Sequence, residues 1–362
     1  MSRHPLLLSP VALGALQLPN RVVMAPMTRC RANVDGTVTT LQAEYFAQRA
    51  RAGMVITDAV MTSPQAVGYP RTPGIWTDEQ MDSWRPVVRA VHAAGGLITL
   101  QLMHCGRVSL EAFQPGGDAP VSSSPVRAES TLLYTPDFIA EPAAEPRALL
   151  INEIAGVVGQ FSDCARNGRA AGFDAVEIHA ANGYLVDQFL RNGVNQRHDR
   201  YGGSADNRAR FLLEVTEAVA RHFGADRTGV RLSPTGAAND MRDDDPLDTF
   251  GTALKHLAAL DLAWTHFCAL GSTDLTHRLR DVYGKPFVLN GGFAADTAED
   301  AIRADLACAV SFGRLYIANP DLVERFATDA ELAPTDAQTY YGGDARGYTD
   351  YPTFPESVAA QR

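Results

Sequence analysis

Residues 173–190 read FDAVEIHAANGYLVDQFL: a short apolar run, a break at three polar groups, then an apolar pattern at helical spacing. The first run is short and rich in branched residues, which predicts a buried strand rather than a helix. His179, Asn182 and Tyr184 stand at the break, and each can hold out a hydrogen bond. Any one of them could instead cap a chain end, satisfy a loop carbonyl or pack. The surrounding chain has to decide between these roles.

The same unit recurs along the 362 residues. Apolar runs occur at RVVMAP (21–26), GMVITDAV (53–60), LITLQLMH (97–104), DAVEIHA (174–180), GVRLSP (229–234), AWTHFCA (263–269), FVLNGG (287–292) and AVSFGR (309–314). Amphipathic segments lie between them, among them 39–53, 77–96 and 204–224, the last opening on a Ser204 cap and closing on Gly224. Eight strand–helix units predict an α/β fold in which a parallel sheet closes on itself, a TIM (β/α)8 barrel with an N-terminal hairpin. One barrel domain is expected over 1–362. Residues 106–147, rich in Pro, Gly and Ser, are too long for a plain loop and predict an inserted cap over the barrel mouth. The aromatic, turn-rich tail at 335–362 is expected to fold back on the barrel.

Composition narrows the function. Hydrophobic residues make up 46% of the chain, enough for a large core, and the net charge of −10 argues against nucleic-acid and anionic-membrane partners. Its acidity is scattered; DDD at 243–245 reads as a helix start, with Asp245 capping and Pro246 opening. Five cysteines, Cys30, Cys105, Cys164, Cys268 and Cys308, stand far apart with no CxxC pair, so no disulfide framework, zinc or iron–sulfur site is expected. No 18-residue apolar stretch or signal-peptide pattern is present, which predicts a cytoplasmic protein.

Active sites of such barrels lie at the C-terminal ends of the strands. The expected ends carry Pro26, Met27 and Thr28; Asp58 and Ala59; Gln101 and His104; His179; Arg231; Asn290 with Gly291 and Gly292; and Gly313 with Arg314. The last two ends belong to neighbouring strands seven and eight, where barrels commonly hold a phosphate. An arginine inside a strand is costly unless it faces a partner, so Arg231 either spans the barrel as an ion pair or meets a ligand. His104 and Cys105, adjacent in sequence, read as packing or loop support. Together these residues point to a phosphorylated ring cofactor across the barrel mouth.

The chain resembles the Old Yellow Enzyme family of FMN-dependent ene-reductases. The likeness runs from LLLSPVALGALQLPNRVVMAPMTR through HAANGYLVDQFLRNGVNQRHDRYGGSADNRARFLLEV to FGRLYIANPDLVERF and GYTDYP, nearly the whole chain. It implies FMN at the mouth, with Thr28 and the backbone of Pro26 and Met27 near flavin O4, Ala59 close by and Gln101 on the pyrimidine edge. Arg231 would sit by N1 and O2, and Gly292, Phe293, Gly313 and Arg314 would take the phosphate. It further implies that His179 and Asn182 bind the carbonyl of an enone-type substrate, that Tyr184 protonates Cα, and that Tyr69 and Tyr348 line the pocket. NADPH or NADH would be the transient reductant, and the protein would be a monomer or homodimer.

Some residues depart from the family's pattern. Met103 stands where many members carry Trp and is expected to widen the substrate pocket. The loop TGAANDMRDDD after the fifth strand is unusual. A Schiff-base aldolase reading fails on position, since the two lysines, Lys255 and Lys285, lie in a helix and at the leading end of strand seven. A flavin and iron–sulfur enoyl reductase lacks its cysteines here. A biosynthetic isomerase, or a flavin-binding protein without net turnover, stays open.

Overall fold

A computed structural model of the chain describes residues 3–269 and 273–354. Strands β1 (Val11–Leu13) and β2 (Leu16–Leu18) form the expected hairpin, turning at Gly14 with φ 54°, where a Cβ would fall 2.1 Å from the Asp226 carbonyl oxygen. Then come β3 (Val22–Met24), β4 (Met54–Met61) and β5 (Ile98–Met103). Short pieces follow within the excursion: β6 (Val121–Ser122), β7 (Leu132–Tyr134), β8 (Ala140–Pro142) and β9 (Arg147–Ala148). The series ends with β10 (Ala175–Ala180), β11 (Thr228–Leu232), β12 (Trp264–Cys268), β13 (Phe287–Asn290) and β14 (Ala307–Phe312).

Strands β3, β4, β5 and β10 to β14 close into one parallel barrel, each paired with its sequence neighbour and β14 returning to β3. Helices α1 (Thr40–Gln48), α2 (Asp78–Ala93) and α3 (Ile151–Ala171) follow the first three barrel strands. Helices α4 (Leu185–Leu190) and α5 (Ala205–Phe223) follow β10, then α6 (Pro246–Ala259), α7 (Thr273–Tyr283) and α8 (Ala295–Arg303) in turn. After β14 come α9 (Arg314–Ala318) and α10 (Leu322–Thr328). The closed (β/α)8 architecture is therefore the one expected, with strand ends shifted by one or two residues. Asp245 does cap α6, its Oδ1 accepting from the Asp248 amide at 3.0 Å.

The hairpin closes the N-terminal end of the barrel. Leu13, Leu16 and Leu18 pack with the inward residues Val23, Met54, Ile56, Trp264 and Val288 in one buried cluster. With that end plugged by apolar side chains, the cavity is left to the opposite end, where the strand–helix loops gather. No described helix is long and apolar enough to cross a membrane.

The excursion and the tail are both attached to loops at that open end. Arg107, buried, donates to the Val126 carbonyl at 2.9 Å and the Asn239 carbonyl at 2.7 Å, tying the excursion to the loop after β11. Arg29 and Arg31 hold the tail: Arg29 donates to the carbonyls of Tyr340 (2.9 Å) and Gly347 (2.8 Å), Arg31 to that of Thr339 (2.9 Å). Residues 355–362 of the expected tail lie outside the described residues.

Candidate active site

A cavity of about 920 Å³ opens at the C-terminal end of the barrel, a size suited to a small-molecule ligand. Its walls include Pro26, Met27, Thr28, Ala59, Gln101, Arg231, Gly292, Phe293, Gly313 and Arg314, the ten positions expected to hold a cofactor. His179, Asn182, Tyr184, Tyr69 and Met103 also line it. The strand ends thus bring these residues to one place. Tyr348 is the exception. It is fully buried away from the cavity, stacked on Tyr45 with centroids 3.9 Å apart, its ring under the Arg31 guanidinium at 4.5 Å. The tail contributes Tyr340 and Tyr341 to the cavity instead.

His179 and Arg231 are register partners on β10 and β11, so both project at the same level. Arg231 is 7% exposed; its Nη2 donates to Asn290 Oδ1 at 3.3 Å, and its Nε is buried without a hydrogen-bond partner. Among the described residues it forms no ion pair, so the alternative of a salt bridge across the barrel is not realised. His179 Nδ1 is likewise buried and unpartnered. Burial first, and the nearby Arg231 charge second, hold its imidazole well below the usual histidine range, so it is neutral at pH 7.

Asn182 adopts φ 56°, a left-handed conformation that asparagine tolerates better than most residues. Its backbone is held from both sides: the amide donates to Ser233 Oγ at 2.7 Å, and the carbonyl accepts from Asn239 Nδ2 at 2.8 Å. The unusual loop after β11 therefore supports the Asn182 turn. Tyr184 follows as the residue that opens α4, its ring 5.0 Å from that of His179. Its hydroxyl lies 3.0 Å from that of Tyr69. Burial raises the pKa of both phenols, keeping both protonated.

Met103 belongs to the wall but shows no surface to solvent, packing with Met61, Cys105, Tyr69 and Tyr184. His104 Nδ1 accepts from the Gly106 amide at 3.0 Å, the supporting role expected of it. Lys285 pairs with Asp261. The glycines of the phosphate end fit their expected use: Gly291 and Gly292 have φ 158° and 80°, and a Cβ on Gly291 would press on the Ala269 carbonyl oxygen at 2.9 Å. They precede α8 as Gly313 precedes α9, which puts two helix starts beside the cavity. Unpartnered Arg231 Nε, the glycine turns and the cavity size all fit a phosphorylated flavin.

Residues 6–333 match the family model of the NADH:flavin oxidoreductase / NADH oxidase family. The chain belongs to the Old Yellow Enzyme family. It is 42% identical over 372 residues to 12-oxophytodienoate reductase 7 of Oryza sativa subsp. japonica, covering 96% of this chain and 94% of the relative. With 12-oxophytodienoate reductase 2 of Arabidopsis thaliana it shares 40% over 368 residues, 98% and 96% covered. Among solved structures, morphinone reductase superposes with a TM-score of 0.93 at 43% identity, covering 97% of each chain. The old yellow enzyme homologue from Zymomonas mobilis gives 0.92 at 42%, covering 96% of this chain and 99% of that one. Morphinone reductase has also been solved with tetrahydroNAD, at 45% identity to this chain. As a member of this family the protein is an FMN-dependent oxidoreductase that reduces activated C=C bonds at the expense of a nicotinamide.

Sequence reasoning missed several cavity residues. Tyr340 and Tyr341 come from a segment without periodicity, and only its aromatic content signalled contact with the barrel. Arg29 and Ser311 also reach the wall. Glu177, at the centre of the barrel, gave a signal that went unused: a carboxylate inside an apolar run, two residues before His179 and so on the same face.

Proposed function

We propose that the enzyme reduces enones, enals, maleimides and nitroalkenes, with His179 and Asn182 binding the substrate's activating oxygen and Tyr184 donating the proton. One observation carries this reading: a neutral histidine with an unpartnered nitrogen, an asparagine fixed by its backbone and a protonated phenol share one wall of the cavity. FMN would be held at the mouth, with Gln101 and Arg231 taking its pyrimidine edge and Thr28, with the backbone of Pro26 and Met27, taking the opposite carbonyl side. Ala59 would pack beside it, and Gly292, Phe293, Gly313 and Arg314 would hold its phosphate. When bound, the flavin supplies the hydride, taken from NADPH or NADH and delivered to substrate Cβ.

His179 and Asn182 orient the substrate by two hydrogen bonds to one oxygen. Those bonds strengthen as the oxygen gains enolate character, which is selective stabilisation of the transition state. Tyr184 gives its proton to Cα, and the Tyr69 hydroxyl donates to the Tyr184 oxygen as charge builds there. Hydride at Cβ and proton at Cα complete the saturation. The excursion at 106–147 and the described part of the tail, 335–354, would act as caps that limit water at the mouth. The acidic charge and five separate thiols support a cytoplasmic enzyme without nucleic-acid or membrane partners, which we take to be a monomer or homodimer.

The test is a two-step mixing experiment. Anaerobic NADPH or NADH should bleach the flavin absorption, and 2-cyclohexenone should then restore it within the turnover time. Reduction without reoxidation by any enone, enal, maleimide or nitroalkene would favour the isomerase or non-turnover reading.

A further inference from the structure

Beneath the cavity lies a carboxylate that the proposed chemistry does not use. Glu177 has no exposed surface. Its Oε1 accepts from Gln101 Nε2 at 2.8 Å, and its Oε2 accepts from Trp264 Nε1 at 2.9 Å and lies 3.0 Å from His266 Nδ1. On its other side, His266 Nε2 sits 2.8 Å from Ser311 Oγ, so the contacts cross the barrel from β5 to β14. Gly229 makes room for this: a Cβ there would lie 2.0 Å from the Trp264 ring.

The charge state follows from the surroundings. Burial opposes ionisation of Glu177, but His266, Arg231 and the Trp264 N–H outweigh it and hold the carboxyl below the usual carboxylate range. Burial in turn lowers His266 below the usual histidine range. A neutral imidazole that donates through Nδ1–H and accepts the Ser311 hydroxyl at Nε2 satisfies both neighbours. Glu177 is then a buried anion one level below Arg231 on the neighbouring strand, paired in register with Gly229 as His179 is with Arg231. Its charge interacts with that of Arg231. An ionised carboxylate only accepts, so Gln101 must turn its NH₂ group towards Glu177, which fixes which end of the amide is left for the cavity.

We propose that Glu177 is a positioning and charge-balancing residue for the bound flavin, setting its reduction potential by orienting Gln101 and offsetting Arg231. This rests on the FMN placement proposed above. Two-electron reduction adds negative charge at the pyrimidine edge, and Arg231 favours it while Glu177 opposes it. The potential is therefore set by the pair and not by the arginine alone.

The midpoint potential of bound FMN, measured by dye equilibration, tests this. Glu177→Gln leaves Arg231 without its counter-charge and should favour the reduced form by roughly tenfold, an upward shift of about 30 mV for a two-electron couple. Trp264→Phe keeps an aromatic ring in place of the indole, removes one neutral donor from the carboxylate and should shift the potential downward by less. An unmoved potential in Glu177→Gln with FMN fully bound overturns the proposal. If that variant fails to hold FMN, Trp264→Phe decides by sign: a fall supports the role, and no change or a rise overturns it. The placement has its own control. Undiminished FMN affinity in Gln101→Ala would show that the flavin lies elsewhere, whereas weakened affinity with an unmoved potential removes only the role of Glu177.

Discussion

The end of β10 and the tail at 335–354 both bring tyrosines to one cavity, by unlike means. Tyr184 follows its strand by four residues, and its place is set by the strand's inward face, the Asn182 turn and the start of α4. Tyr340 and Tyr341 arrive from a segment without regular structure beyond one short helical turn (337–339). Their place is set by arginines some 310 positions earlier, which fix the carbonyls of Thr339, Tyr340 and Gly347. Side chains on strand ends inherit a direction from a period of two. A tail held through its carbonyls shows no such pattern, because any residue type can offer a carbonyl.

The largest expected effect lies at the strand end. Tyr184→Phe should slow oxidation of the reduced enzyme by 2-cyclohexenone by about 10²–10⁴, the usual contribution of a general acid. Flavin reduction by NADPH needs no proton donor and should stay nearly unchanged. Nitroalkenes should suffer less than enones, since the nitronate can leave and take its proton from water. Equal losses for both substrates would make Tyr184 a wall of the pocket and nothing more.

How much was legible follows the same division. Eight apolar runs gave the barrel, and the rule that barrel sites lie at strand ends gathered His179, Gln101, Arg231 and the two glycine ends into one cavity. Thr28, Asn182 and Tyr184 lie beyond strand ends; their chemistry was suggested by family resemblance more than by periodicity. Glu177 was hidden because its neighbours Val176 and Ile178 make the run read as apolar, although alternation puts it beneath His179. Met103 lines the cavity, but its complete burial among Met61, Cys105, Tyr69 and Tyr184 depends on packing that one strand's pattern does not contain.

A middle-sized effect concerns His179 and Asn182, the proposed oxygen-binding pair. A phenol without a reducible alkene should bind as phenolate above the flavin and give a long-wavelength charge-transfer band. His179→Ala should weaken it by about 1.5–3 kcal/mol, the contribution of a hydrogen bond to a charged group. The pH dependence has a definite sign. A histidine of ordinary pKa would become cationic as pH fell through about 6.5 and would tighten phenolate binding there. Burial and Arg231 lower His179, so the band should follow the phenol's own ionisation with no added gain at low pH. A second step near 6.5, lost in His179→Ala, would show an ordinary titrating histidine.

The smallest effect separates the two tail tyrosine sites and tests the comparison most directly. Tyr348 stacks on Tyr45 in the interior, and its hydroxyl is buried without a hydrogen-bond partner. Removing an unsatisfied buried hydroxyl relieves a desolvation cost while leaving the stacked ring in place. Tyr348→Phe should therefore leave kcat/KM unchanged for every enone and leave stability unchanged or raised by up to about 1 kcal/mol in urea unfolding. Tyr341, 53% exposed and lining the cavity, is placed to touch only the outer part of a substrate. Its replacement by alanine should cost on the order of 1 kcal/mol or less in kcat/KM for bulky enones, as for a partly exposed aromatic contact, and nothing for 2-cyclohexenone. Were Tyr348→Phe to change substrate preference while Tyr341→Ala did not, the tail would run the other way round over the mouth. The arginine clamp would then hold a different register of the same aromatic segment.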